Sequence, residues 1–61
     1  MDLREEIKKQ SGIIPVSVQH GSIQNVIRWK DRAVKSLNVA NNPKSTEYEL
    51  RQALSQLMRN Q

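Results

Sequence analysis

Apolar residues change period three times along this chain, and each change marks a new element. Residues 2 to 10 contain only Leu3 and Ile7 as apolar positions among charges. That four-residue spacing predicts a short helix, with Asp2 at its cap position, Glu5 and Lys9 one turn apart, and Ser11-Gly12 at its end. So thin a stripe predicts an accessory N-terminal helical arm, residues 1–12, rather than a core element.

From Ile13 the pattern shifts. Ile14, Val16 and Val18 alternate with Pro15, Ser17 and Gln19, and this period of two in β-branched residues predicts a half-buried strand. Ser22 then caps a second helix whose apolar positions, Ile23, Val26, Ile27, Ala33, Val34 and Leu37, follow helical spacing, with Arg28, Asp31, Arg32 and Lys35 on its other side. Asn38 to Pro43 has the composition of a loop. A third helix is predicted from Ser45 or Thr46, where Thr46 and Glu49 have capping-box spacing, with Leu50, Ala53, Leu54 and Leu57 as its buried stripe and Met58 beside it.

Length adds a constraint. A chain of 61 residues buries only about 60% of the surface its unfolded form exposes, and domains this small are usually reinforced by disulfides, a metal or oligomerisation. Cysteine is absent and His20 is the only histidine, so neither a disulfide nor a metal site is expected, and oligomerisation is left. A lone strand points the same way, because its unpaired edge needs a second strand and only another copy of the chain can offer one. The expectation is a homodimer with the two strands antiparallel across a two-fold axis.

Charge and the missing motifs narrow the function. The net charge is +4, and residues 13–61 hold seven bases against three acids while the first twelve residues cancel. Such an excess is the footprint of a polyanion binder. No histidine-supported nucleophile and no glycine-rich phosphate loop is present, so no enzyme activity and no cofactor is expected. No apolar run exceeds two residues, as at Ile13-Ile14, too short to span a bilayer, and a cytoplasmic location is expected.

The order strand, helix, helix resembles the ribbon-helix-helix repressors of the Arc and MetJ type. The stretch Lys44-Ser45-Thr46-Glu47-Tyr48-Glu49-Leu50-Arg51-Gln52-Ala53-Leu54 is similar to the start of that family's second helix, with Ser45, Glu49, Leu50, Leu54 and Met58 fitting its pattern. The resemblance covers roughly residues 14 to 60. It implies a mostly α fold in which residues 13–61 form a dimerisation and DNA-binding domain. The inward core and dimer positions are then Ile14, Val16 and Val18 on the strand, with Ile27, Val34, Leu50, Leu54 and Leu57 on the helices. It further implies that Ser17 and Gln19 contact bases of double-stranded DNA, an admissible chemistry for both side chains. Ser45, with the Thr46 amide, would hold a phosphate, and Lys44 and Arg28 would add backbone contacts.

The function implied is a small dimeric DNA-binding protein of a bacterium, phage or mobile element, either a transcription regulator such as a repressor or an accessory factor in DNA recombination. The alternative reading is an all-α three-helix module, an adaptor or inhibitor that binds another protein through the N-terminal arm or Trp29. Pro15 and the N-terminal helix favour it, because proline cannot donate to a strand ladder.

Overall fold

A computed structural model describes residues 2–59 and is mostly helical. The elements are α1 (Leu3–Ser11), α2 (Val16–Gln19), α3 (Ile23–Asn41) and α4 (Glu47–Leu57). The three longer helices pack on one another, and α2 is a single turn set against α3.

Each longer helix starts where a side chain can satisfy its free amides. Asp2 accepts from the Arg4 amide at 3.0 Å, Ser22 from the Asn25 amide at 3.4 Å, and Thr46 from the Glu49 amide at 3.2 Å. The Glu49 carboxylate returns to the Thr46 amide at 3.1 Å, completing the capping box.

No strand forms among the described residues, and the expected β-strand at residues 13–19 is replaced by a helical turn. The amides of Val18 and Gln19 both donate to the Pro15 carbonyl at 3.0 Å, and His20 donates to Val16. Pro15 suits this role, since a helix start needs no amide from it. A solitary strand would leave a row of backbone groups without partners, whereas a turn satisfies them locally. Burial follows the helical period as well. Val18 is buried and Ile14 half-buried, but Val16 is 67% exposed, which corrects its assignment to the core. The antiparallel ribbon, and the dimer built on it, therefore have no element to form them.

The α1 helix is more than an arm. Ile7 is fully buried between α3 and α4, and Leu3 packs on the same cluster. Arg4 also donates to the carbonyls of Asn42 at 3.3 Å and Ser45 at 3.2 Å, fastening α1 to the α3–α4 connection.

The α3 helix is longer than its sequence predicts. It continues through Asn38 and Val39 to Asn41 because Ala40 extends the buried face, and it stops at Asn42, whose extended backbone precedes Pro43. That face carries Trp29, Ala33, Ser36 and Ala40, with Val26 and Val39 partly buried beside it. Ile27 and Val34 were expected in the core and instead lie 54% and 56% exposed. The physical reason is Trp29: α3 has apolar residues on two sides, and the side bearing the indole offers the larger area to bury. On α4 the expectation holds, with Leu50 and Leu57 buried and Leu54 partly buried.

Candidate nucleic-acid interface

Two of the depressions on the surface differ in charge. One runs between α1 and α4 and is lined by Leu3, Leu50, Leu54 and Met58 with Asp2, Arg4, Glu47 and Arg51 at its rim. Its cations are already engaged: Arg51 pairs with Glu47 at 2.8 Å, and Arg4 holds the two loop carbonyls.

The other depression is lined by Asn25, Arg28, Asp31, Arg32 and Arg59. Helical geometry brings Arg28 and Arg32 together, because residues four apart are neighbours on one face of α3. Arg59 arrives from the turn after α4. One acid, Asp31, lines the same depression and pairs with Lys35 at 3.1 Å; among the described residues none of the three guanidinium groups there is in an ion pair. Arg32 is half-buried, and its Nε is shut off from solvent with no acceptor. Arg32 also borders a neighbouring hollow with Lys35, Ser36, Val39, Ala53 and Gln56, so the basic strip continues along the α3–α4 junction.

The residues expected to contact DNA are not gathered in one place. Ser17 and Gln19 are both exposed, but on a helical turn residues two apart point about 200° from each other, whereas on a strand they would share a face. The Gln19 amide donates to the Ile14 carbonyl at 2.7 Å. At the start of α4, Thr46 is bound into its box with Glu49, the Ser45 amide donates to Asn42, and the Lys44 amide donates to the Asn42 side chain at 3.0 Å. Glu47 and Glu49 place two carboxylates in that first turn, where they already answer the helix dipole.

Of the expected positions, Arg28 alone belongs to the basic depression. Asn25, Arg32 and Arg59 were not anticipated as a site. Arg32 carried a local signal, being one turn from Arg28, but Arg59 is brought in only by the packing of α4 on α3. Trp29, considered as a protein contact, is 3% exposed and belongs to the core.

Among the described residues no group of three or more His, Asp or Glu side chains is placed to hold a metal ion, and no helix is long and apolar enough to cross a membrane. No family model matches this chain, and no curated protein or solved structure matches it either.

Proposed function

We propose that this chain is a small helical module that binds the phosphate backbone of nucleic acid, double-stranded DNA in the first instance, through Arg28, Arg32 and Arg59. The observation that carries this reading is the cluster of three guanidinium groups against one carboxylate, Asp31, at the α3–α4 junction. Guanidinium forks match phosphate oxygens in geometry as well as charge. An oxyanion settling there would meet the Arg32 side chain as well as Arg28 and Arg59, which line the same depression. Contacts of this kind position a protein on a duplex without reading its sequence.

Fluorescence anisotropy of a labelled duplex, titrated at several salt concentrations, tests it. Three phosphate contacts predict a slope of log affinity against log salt of about −3. Replacing Arg28 and Arg59 together by alanine should reduce the slope by about 2 with little dependence on DNA sequence. Absence of binding at low salt, or an unchanged slope in the double variant, would end the proposal.

A second reading, the all-α protein-binding adaptor, needs no strand and is favoured by the exposed apolar residues of α3. Its contact would be that solvent side of α3 rather than Trp29.

A further inference from the structure

The hollow beside the arginine depression differs from it in chemistry. Arg32, Lys35, Ser36 and Val39 lie three and four residues apart on one face of α3, and Ala53 and Gln56 meet them from α4, one turn apart. Ser36 and Ala53 are small, so the two helices leave a space of about 270 Å³ between the longer side chains. That is just under the roughly 300–1,000 Å³ of sites for drug-sized ligands, and it suits one flat ring system.

Burial orders the lining. Ser36 and Ala53 are buried and Val39 is half-buried, whereas Lys35 and Gln56 are exposed, so aliphatic carbon lies at depth and polar groups stand at the mouth. The Ser36 hydroxyl is committed to the Ala53 carbonyl at 3.0 Å. At the mouth the Gln56 amide offers both a donor and an acceptor. Lys35 is held only by its exposed pair with Asp31, an interaction weak enough to give way to a ligand.

Arg32 lines this hollow and the arginine depression alike. An anion in the depression therefore stands beside the hollow. A ligand filling both needs a phosphate linked to a flat ring with apolar faces and with donors and acceptors on its edge. A nucleotide has that construction. Resting on the phosphate-binding reading of Arg28, Arg32 and Arg59, we infer that the hollow receives one unpaired nucleobase, and that the module therefore prefers a single strand to a duplex. Duplex bases are stacked and paired, so their faces cannot enter, whereas a base on a single strand splays out at small cost. Its face lies against Val39 and the Arg32 guanidinium, a group on which unstacked bases settle, and its edge reaches Gln56 and Lys35. Charge alone works the other way, because duplex phosphates are more densely spaced and release more counterions. A single-strand preference is thus a mark of the hollow and not of the arginines.

Fluorescence anisotropy on the full chain at low salt, with three labelled probes of equal length, tests this. The probes are an oligodeoxythymidylate, the same strand annealed to its complement, and an abasic strand with the same sugar-phosphate backbone. The thymine strand should bind more tightly than the duplex. It should also bind about five- to a hundredfold more tightly than the abasic strand, the worth of one stacked base. Gln56→Ala should narrow the gap between the thymine and abasic strands by about two- to tenfold, the worth of one hydrogen bond. Gln56 is exposed, so that variant should keep the helical circular dichroism of the parent, and the abasic comparison on the parent decides the matter without it.

An abasic strand bound as tightly as the thymine strand overturns the inference, as does a duplex bound at least as tightly as the thymine strand. Either result leaves the phosphate reading of the arginines standing. Failure of all three probes to bind overturns both.

Discussion

The Ser36 hydroxyl on α3 donates to the Ala53 carbonyl on α4 at 3.0 Å, in a setting where both residues are buried. Because Ala53 lies inside α4, its carbonyl lies within that helix's own hydrogen-bond ladder, and Ser36 adds an interhelical donor. A small side chain is required, since the helices meet closely enough for a one-carbon arm to bridge them.

Ser36→Ala should therefore cost about 1 kcal/mol, the worth of one buried hydrogen bond. Ser36→Leu should cost more, about 1–3 kcal/mol, because it forces the helices apart. In a domain of this size each kcal/mol should lower the melting temperature by roughly 4–8 °C. Thermal unfolding followed by circular dichroism measures both.

Ile7 makes α1 part of the fold. Ile7→Ala should destabilise by about 2–5 kcal/mol, a large share of the 5–15 kcal/mol typical of whole domains. Removing residues 1–12 should abolish the cooperative melting transition, where an accessory arm would leave it intact.

The two valines of α2 distinguish a helical turn from a strand. Val18→Ala removes buried methyl groups and should cost about 1.5 kcal/mol, whereas Val16→Ala should fall within about 0.5 kcal/mol of the parent. Equal losses at both positions, read from urea midpoints, would instead indicate the alternating burial of a strand.

The capping box at α4 should be worth about 1 kcal/mol through Thr46 alone. Thr46→Ala is expected to lose that amount, while Thr46→Ser, which retains the acceptor oxygen, should lose much less. Chemical denaturation of the two variants side by side gives the comparison.

What could be read along the chain was what depends on near neighbours. Asp2, Ser22 and Thr46 are recognisable as caps because each acts on amides two or three residues away, and the stripe Leu50, Leu54, Leu57 has only one apolar side to choose. The strand expectation failed for a complementary reason. Alternation at Ile14, Val16 and Val18 records β preference, but with no second strand in the chain tertiary context overrides it. On α3 the two apolar faces are similar in pattern, and the choice between them depends on how Trp29 and Ser36 meet α1 and α4. The basic depression was half legible for the same cause: Arg28 and Arg32 are adjacent on a helix, and Arg59 is distant until the chain has folded.

Arg4 gives that distance a temporal meaning. Its guanidinium grips the carbonyls of Asn42 and Ser45, and Ile7 is buried where α1 packs on α3 and α4, so α1 is fixed by segments that are synthesised after it. Until then α1 has two apolar residues and no surface to lay them on, well short of what an isolated helix needs. These helices are therefore expected to assemble in one step, with α1 waiting for α4 to be made.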